Sequence, residues 1–223
     1  MEKYAIIVAG GAGVRMGGSI PKQFQLLKGK PVLWHSIKAF VNAFEDVRII
    51  LTVAEIYMAR TESIIKDFPG TRITITAGGE TRFNSVKNGL RLVKETSVVF
   101  VHDAVRCLIT RHLIHRCYNE AIKKGNAVPA ITATDTIRIE TGEGNEQIDR
   151  SKVRLIQTPQ AFLSDLLIHA FDYENASSFT DEAGVVEKSG IKINLIEGES
   201  TNIKITVPID FIVAEKIIGT LEK

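Results

Sequence analysis

The segment "YAIIVAGGAGVRMGGSIPKQF", residues 4–24, decides the fold class of this 223-residue chain. Its apolar run leads directly into a loop with glycines at positions 10, 11, 13, 17 and 18 and with two cations, Arg15 and Lys22. Glycines accept unusual backbone angles and let backbone N–H groups approach an anion closely. A strand that runs into such a loop favours an α/β protein with a phosphate site, although a tight turn without a ligand would also explain the glycines.

Two well-known phosphate loops match this segment poorly. Met16 stands where the dinucleotide fingerprint GxGxxG, counted from Gly11, needs its third glycine. Ser19 stands where the Walker spacing, counted from Gly13, needs its lysine. The guanidinium of Arg15 and the ammonium of Lys22 remain as the distinguishing groups. Two cations beside glycines suit a polyphosphate better than a single phosphate.

Beyond this segment, short runs of β-branched residues alternate with stretches that have helical spacing. In the first such stretch, Leu33, Ile37, Phe40 and Phe44 recur at i, i+4, i+7 and i+11, which is typical of an amphipathic helix on a sheet. This alternation predicts βα units, and therefore an α/β fold with a doubly wound, mostly parallel sheet. The runs predicted as strands are residues 5–8, 47–53, 72–76, 98–101 and 127–131.

Residues 132–159 break this rhythm, with period-2 stretches on both sides of a glycine-containing turn and no helical stripe. They predict a hairpin that projects from the α/β body as a β-arm. Because no linker or repeat divides the chain, we expect a single domain over residues 1–223. The later segments are predicted as helices from Leu163 to about Asn175 and from Asp181 to Ser189, strands at "KINLIEG" and "NIKITV", and a closing helix from Pro208.

The charge and hydropathy of the chain exclude several classes of protein. With 28 Lys and Arg against 26 Asp and Glu, the formal charge is +2, so the sequence shows no broad basic surface for nucleic acid. Charges interrupt the apolar runs well short of the ~20 residues that a membrane-spanning helix needs. Cys107 and Cys117, without a secretory leader, are expected to be reduced thiols. We therefore expect a cytoplasmic protein that binds neither nucleic acid nor membrane.

Eight motifs occur in a fixed order along the chain. They are "AGGAGVRMGGSIPKQF", "GGETRFNSV", "VHDAVR", "TDTIR", "IDRSKV", "QTPQAF", "TDEAG" and "NIKIT". In this order they closely resemble the 2-C-methyl-D-erythritol 4-phosphate cytidylyltransferase family of the non-mevalonate isoprenoid pathway. The resemblance implies a Rossmann-like nucleotidyltransferase fold, Mg2+ as the cofactor and a homodimer. It also implies the conversion of CTP and the 4-phosphate of a branched polyol into a CDP-polyol and pyrophosphate.

Two other functions stay open at this level. Ribitol 5-phosphate cytidylyltransferases could share most of these motifs, and they differ in the polyol that they use. A nucleotide-binding regulator that keeps the pocket without the chemistry is an alternative of another class, which the presence of Arg15, Lys22 and Lys204 disfavours. The choice of base also comes from the resemblance alone, because no spacing in the sequence distinguishes cytosine from uracil.

The resemblance also assigns roles to individual residues. The catalytic cations are Arg15, Lys22, Arg150 and Lys204. The nucleotide contacts are Ala9, Gly10, Gly11, Gly13, Gly79, Glu80, Arg82 and Ser85. The polyol phosphate contacts are Asp103, Arg106, Thr136 and Thr180, with Asp103 also placed near the metal. Glu80 stands where the family commonly has Asp, and Cys107 stands where it usually has Pro.

Three of these residues also have an interpretation that needs no resemblance. Asp103 follows a buried strand at the edge where open α/β sheets keep their ligands, although a helix cap would suit it too. Lys204 alternates with Ile203 and Ile205, so its pattern alone indicates a solvated strand face. Thr180 fits the N-cap of a helix that opens with Asp181.

The arm is expected to act between subunits. A lone two-stranded hairpin buries little surface and is marginally stable. The resemblance implies that two arms clasp one another, and that Thr136 and Arg150 complete the neighbour's substrate site. Arginine suits that task because its planar fork matches the geometry of a phosphate.

Overall fold

The computed structural model describes residues 1–11, 20–172 and 179–221 of the chain. Its strands are β1 (Glu2–Val8), β2 (Leu26–Leu27), β3 (Lys30–Pro31), β4 (Arg48–Val53), β5 (Arg72–Ala77), β6 (Ser97–Asp103), β7 (Asn126–Thr132), β8 (Ile137–Thr141), β9 (Gly144–Ile148), β10 (Arg154–Ile156), β11 (Gln160–Leu163) and β12 (Leu195–Glu197). Its helices are α1 (Val32–Ala43), α2 (Met58–Ile65), α3 (Arg82–Leu90), α4 (Arg111–Lys124), α5 (Ser164–Ala170), α6 (Glu182–Lys188) and α7 (Pro208–Leu221).

The central sheet has eight strands, in the order β10, β7, β11, β6, β1, β4 and β5, with β12 pairing β7. The neighbours β6, β1, β4 and β5 are parallel to one another. Strand β11 is inserted antiparallel between β6 and β7, and β10 is antiparallel to β7. All five β-branched runs of the sequence became strands of this sheet, so the predicted mostly parallel α/β fold is confirmed.

Helices cover both faces of the sheet. In β1, Ala5 and Ile7 pack into the cluster that contains α1 and α4, whereas Tyr4 and Ile6 pack into the cluster that contains α3, α5 and α6. Successive side chains of a strand point to opposite faces, so β1 needs consecutive apolar residues from Tyr4 to Ile7 to be buried on both faces. Each side chain of this kind contributes ~1.5–3 kcal/mol when it is fully buried.

The late part of the chain differs from its prediction. Residues 202–206 form no strand, so the prediction of a strand at "NIKITV" was wrong. The backbone N–H of Ile205 donates instead to the carbonyl of Val105, 2.9 Å away, outside any ladder. The predicted strand "KINLIEG" is reduced to β12, and α5 ends at Ala170, earlier than predicted. Asp181, rather than Thr180, is the N-cap of α6, because its side chain accepts from Gly184 N–H.

The predicted hairpin is present as β8 and β9, which form a two-stranded sheet of their own. Most of its residues are exposed. The following strand β10 pairs with β7 in the main sheet, so the separate hairpin, residues 137–148, is shorter than the predicted arm. No helix within the described parts of the chain is long and apolar enough to cross a membrane.

Candidate active site

Three strand ends meet at one edge of the sheet. In the parallel register, Val8 at the end of β1 lies beside Asp103 at the end of β6 and Thr52 near the end of β4. The chain leaves β5 at Ala77 and enters α3 at Arg82. Open α/β sheets bind their ligands at this carboxyl edge. A cavity of about 390 Å³ opens here.

The cavity brings together most of the nucleotide-side residues that the sequence predicted. The predicted nucleotide contacts that line it are Ala9, Gly10, Gly11, Gly79, Glu80, Arg82 and Ser85. The predicted catalytic cations Lys22 and Lys204 and the predicted polyol phosphate contact Asp103 line it too. Arg15 and Gly13 lie outside the described residues. The described start of the glycine loop, the end of β6 and the late segment around Lys204 therefore converge on one space, although they are far apart in sequence.

A second hollow, of about 170 Å³, adjoins the first. The two spaces share Arg82, Asp103 and Lys204 as a common wall. The second hollow adds Arg106 and Thr180, both of which were predicted to contact the polyol phosphate. The site therefore has two compartments separated by charged side chains, which suits two phosphorylated substrates.

Thr136 and Arg150 lie elsewhere. They line a third hollow, between the end of the hairpin and the segment that follows it, together with Ile148 and Asp149. Among the residues that the structure describes, this hollow shares no lining residue with the other two. Within one chain the structure does not bring these two predicted substrate contacts to the cavity.

Gln23, which the sequence analysis missed, fixes the entry of the glycine loop. Its side chain is 2% exposed, and its Nε2 donates to the carbonyls of Ala9, at 2.7 Å, and Gly11, at 2.9 Å. The backbone N–H of Ala9 is in turn bonded to the carbonyl of Thr52, at 2.9 Å. The sequence signals Gln23 through its place in the motif PKQF, beside Lys22. Its burial, which makes hydrogen-bond partners necessary, becomes visible in the structure. The described start of the loop is therefore held in one conformation.

Gly79 and Ser85 form a second fixed loop at the entry to α3. A Cβ on Gly79 would overlap the Cβ of Asn84, so no larger residue fits there. The N–H of Gly79 donates to Ser85 Oγ, at 3.0 Å, and that hydroxyl donates to the carbonyl of Thr81, at 3.0 Å. The glycine is thus required by close packing, and the buried serine braces the cavity wall.

Four charged side chains form what we call the Asp103 cluster: Arg82, Asp103, Glu182 and Lys204. Oδ1 of Asp103 accepts from Arg82 Nε, at 3.2 Å, and Oδ2 accepts from Lys204 Nζ, at 2.8 Å. Arg82 also binds both oxygens of Glu182. Burial alone would raise the pKa of Asp103, which is 8% exposed, but Arg82 and Lys204 hold it well below its usual range. Asp103 is therefore ionised in the folded protein.

A buried histidine supports Asp103 from behind. The Oγ1 of Thr158 accepts from the backbone N–H of Asp103, at 3.1 Å, so its proton is available for Nδ1 of His102, at 3.1 Å. Nε2 of His102 then carries the ring proton and donates to the carbonyl of Arg106, at 3.2 Å. Burial lowers the pKa of His102 to about 3, so the ring is neutral near pH 7.

The irregular segment that carries Lys204 is anchored by side chains. Arg106 Nη1 donates to the carbonyl of Asn202, at 2.8 Å. The fully buried Asn202 donates from Nδ2 to the carbonyl of Thr158, at 2.9 Å. These bonds take the place of a strand ladder. They hold Lys204 against the cavity, so the solvated strand face indicated by its pattern alone is not what the structure has.

The residues present fit Mg2+ in one way. No three His, Cys, Asp or Glu side chains are grouped to hold a metal in the part of the chain that the structure describes. Asp103 is an ionised carboxylate on the cavity wall, and Mg2+ in nucleotide enzymes commonly takes one or two carboxylates and completes its shell with phosphate oxygens and water. Asp103 is therefore suited to serve as the protein's ligand.

Comparison with known proteins identifies the family. The sequence profile of IspD, 2-C-methyl-D-erythritol 4-phosphate cytidylyltransferase, matches residues 4–220. The chain belongs to this family. A cytidylyltransferase of this name from Azobacteroides pseudotrichonymphae is 46% identical over 220 residues, which cover 97% of this chain and 99% of that protein. The relative of the same name from Phocaeicola vulgatus is 43% identical over 219 residues, covering 98% of this chain and 100% of that protein.

Solved structures give the same result. The 4-diphosphocytidyl-2C-methyl-D-erythritol synthase of Anaerococcus prevotii superposes with a TM-score of 0.85 at 27% identity and covers 98% of both chains. The cytidylyltransferase of Francisella tularensis superposes with a TM-score of 0.82 at 32% identity, covering 97% of this chain and 100% of that one. The resemblance drawn from the eight motifs is therefore confirmed over almost the whole chain.

Proposed function

We propose that this chain transfers the cytidylyl group of CTP to 2-C-methyl-D-erythritol 4-phosphate and releases pyrophosphate, in isoprenoid precursor synthesis. One observation carries the proposal beyond family membership: Lys22, Asp103 and Lys204 converge on a single cavity at the carboxyl edge of the sheet. These residues come from three distant parts of the chain. Their convergence beside the glycine loop is what an enzyme that joins two phosphorylated molecules requires.

The reaction needs charge stabilisation more than proton transfer. The second pKa of a phosphate monoester is ~6, so the attacking phosphate is mostly a dianion near pH 7 and needs no general base. One of its oxygens forms a bond to the α-phosphorus of CTP. The bond from that phosphorus to the bridging oxygen breaks, and pyrophosphate leaves with the electron pair. Negative charge develops on the equatorial and leaving oxygens, which fixed cations stabilise.

The two compartments divide the substrates. The larger cavity, with the backbone of Gly10, Gly11 and Gly79, takes the nucleotide, and the adjoining hollow takes the polyol phosphate. Lys204 lies on the wall common to both, where it can draw the attacking phosphate towards the α-phosphorus. Lys22, beside the glycine loop, stabilises the phosphates of CTP. Arg15 shares that role by family resemblance.

Mg2+ belongs to the proposal as the cofactor. Asp103 would hold it, and when bound it would supply positive charge that stabilises the negative charge developing on the phosphates. Arg82 and Lys204 keep Asp103 ionised, so the carboxylate is ready to bind a cation without first losing a proton. A cytoplasmic location is also part of the proposal, and the two free, buried thiols Cys107 and Cys117 support it.

The active form is a homodimer joined through the arms. Arg150 and Thr136 lie in a hollow of their own, apart from the cavity of the same chain. In the dimer they reach the neighbour's site, where Arg150 grips the attacking phosphate. The exposed apolar side chain of Ile139 on the hairpin is then covered by the partner.

A substrate competition assay tests the reaction. CTP and UTP are crossed with 2-C-methylerythritol 4-phosphate and ribitol 5-phosphate, and pyrophosphate release is followed with and without Mg2+. We expect fast release only with CTP, the methylerythritol phosphate and Mg2+ together. A preference for ribitol 5-phosphate would assign the chain to the alternative polyol, and a folded enzyme inactive with every pair would refute the proposal.

Lys22→Ala separates an enzyme from a nucleotide-binding regulator. Removal of one preorganised donor elsewhere costs ~3–4 kcal/mol of barrier, so kcat should fall by about a hundredfold or more. A regulator would show unchanged CTP binding and no pyrophosphate release in either form. Lys94→Ala, at an exposed lysine away from the cavity, is the matched control and should keep full activity.

A further inference from the structure

Glu182 is a buried carboxylate for which the proposed chemistry has no direct use. It is 1% exposed, and it lines neither compartment of the site. Lone ionised carboxylates are rarely buried to this degree, because the loss of hydration costs several kcal/mol unless a partner compensates. The role of the Glu182 carboxylate must therefore lie in the side chains that it contacts.

The partner of Glu182 is Arg82. Nη1 of the arginine donates to Oε1 of Glu182, and Nη2 donates to Oε2, at 3.0 Å. Nε and Nη2 of the same guanidinium face Oδ1 of Asp103, at 3.2 and 3.1 Å. Each guanidinium nitrogen is thus engaged with a carboxylate. Because the guanidinium is planar and its donors form a rigid fork, two carboxylates in these positions define its orientation.

The backbone segment that carries Glu182 is itself held in place by hydrogen bonds. Glu182 is the first residue of α6, and the side chain of the preceding Asp181 accepts from Gly184 N–H, at 3.0 Å, and from Gln160 Nε2, at 3.0 Å. Oε1 of Gln160 accepts from Ala183 N–H, at 2.8 Å. The start of α6 is therefore fastened to β11, next to the strand that ends at Asp103. Glu182 is held at a set place behind the cavity wall.

A series of side-chain contacts connects Glu182 to the site. Glu182 orients Arg82, Arg82 holds one oxygen of Asp103, and the other oxygen of Asp103 holds Lys204. The two cations and two carboxylates balance one another. Without Glu182, the charge of Arg82 would be shared only with Asp103 within this cluster, and the arginine could turn into the compartment that receives phosphates.

We infer that Glu182 is a positioning residue, which acts through Arg82 to set the place of Asp103 and Lys204 for the transfer reaction. This inference rests on the proposed function. It assigns Glu182 no contact with substrate. Its signature is therefore a loss in turnover that disappears when Arg82 is absent and that exceeds any change in the binding of CTP.

The test compares substitutions on α6. Glu182→Gln keeps the size of the side chain but turns an amide towards the donors of Arg82, and kcat should fall about tenfold to a hundredfold, the range for a hydrogen bond to a charged group. The KM for CTP should change less than kcat. Glu182→Asp keeps the charge on a shorter arm and should restore part of the activity. Glu187→Gln, the same change at an exposed position of α6, should have no effect.

A double-mutant cycle separates positioning from general destabilisation. Adding Glu182→Gln to Arg82→Ala should cause little further loss in kcat, because the route from Glu182 to the site has already been cut. If the two losses multiply, or if Glu182→Gln alone is as active as the wild type, the inference fails while the wild-type activity stands. A folded wild type without pyrophosphate release would instead remove the proposed function. Glu182→Asp supplies the same comparison if the glutamine variant does not fold.

Discussion

Arg82 and Arg150 are both predicted to serve the same reaction, but the protein holds them in different ways. Arg82 lies on the wall of the cavity, where Asp103 and Glu182 fix its guanidinium. Arg150 is exposed, and its Nη1 donates to the carbonyl of Thr134, at 2.6 Å, at the base of the hairpin. The body therefore holds its arginine in one orientation in advance, whereas Arg150, in the proposed dimer, would take its working position only when the arm meets the partner.

The segments around the two arginines also differ in burial. The segment that returns from the arm to the sheet is buried at Gln157 and Thr158, and both side chains are bonded to the body. The hairpin between Ile137 and Ile148 is mostly exposed and forms a sheet of two strands only. Substitutions in the body should therefore act on the folded chain itself, and substitutions in the arm should act on association and on the neighbouring site.

The largest effect on stability is expected from Asp103→Asn. The change leaves Lys204 without its carboxylate and Arg82 with Glu182 alone. Breaking a buried ion pair costs ~3–5 kcal/mol, and because Lys204 is partly exposed and Arg82 keeps one partner, we expect the lower end, about 3 kcal/mol. The free energy of unfolding in urea measures it. Asp67→Asn, which removes a surface pair with Lys30, should cost less than about 1 kcal/mol; equal losses would contradict the comparison.

The next effect is on catalysis across the dimer. Arg150→Ala should lower kcat/KM by about tenfold to a hundredfold, the range for one charged hydrogen bond. Mixed with Lys22→Ala, it should regain activity, because a dimer of one chain of each kind contains one site with both residues intact. Random exchange of subunits should recover about a quarter of the wild-type rate. No recovery after exchange, checked by tagged subunits, would place Arg150 in the site of its own chain or outside any site.

A smaller effect on stability concerns His102 and pH. The pKa of His102 is about 3 in the folded protein and ~6.5 in an unfolded chain, so the unfolded state binds more protons between these values. Stability is therefore lost as pH falls below about 6.5, and this residue should account for about 2 kcal/mol between pH 8 and pH 5. His102→Asn should flatten that part of the pH profile of unfolding. An unchanged slope of the profile between pH 8 and pH 5 in this variant would contradict the prediction.

The smallest effect on the chain itself is expected from Ile139→Ser on the hairpin. The side chain is 47% exposed, so the free energy of unfolding of the separated chain should change by less than about 0.5 kcal/mol. The dimer should dissociate at a higher protein concentration, which sedimentation velocity over a dilution series measures. An unchanged dimer, or a clear loss of stability in the separated chain, would show that the hairpin does not divide from the body as described.

The regular parts of the fold were predictable because their residues repeat. Five β-branched runs separated by helical spacing indicate parallel strands. Four of them lie in strands that are largely buried and therefore need apolar residues on both faces, namely β1, β4, β6 and β7, whereas the edge strand β5 alternates threonine with isoleucine. Strand β11 was not predicted. Its four residues run directly into α5, and nothing in so short a stretch indicates that it inserts antiparallel between β6 and β7. That position is decided by tertiary pairing.

The site was predictable only in part, for a related reason. The sequence indicates Gly10, Gly11 and Asp103 because they lie at or just beyond the ends of strands, and it indicates Lys22 because a cation follows the glycines of the same connection. The family resemblance alone predicted Lys204 as a site residue, which the structure places in the cavity. Its alternation with isoleucines indicates that its side chain points away from theirs, but it does not indicate what the lysine faces. Glu182 was not identified, since an acidic residue in the first turn of a helix is ordinary in any protein. Its partner, a hundred positions away, becomes visible only in three dimensions.

The segment that returns from the arm to the sheet, residues 156–160, cannot change in length without disturbing the site. Thr158 supports Asp103, and Gln160 both pairs with Val101 and fastens α6. One residue inserted between Ile156 and Gln160 would turn each following side chain of β11 to the opposite face, away from these partners. The turn between Thr141 and Gly144 has no such role in positioning these residues. In evolution the tip of the arm is therefore free to lengthen or shorten, while the spacing of its base is fixed by the chemistry one strand away.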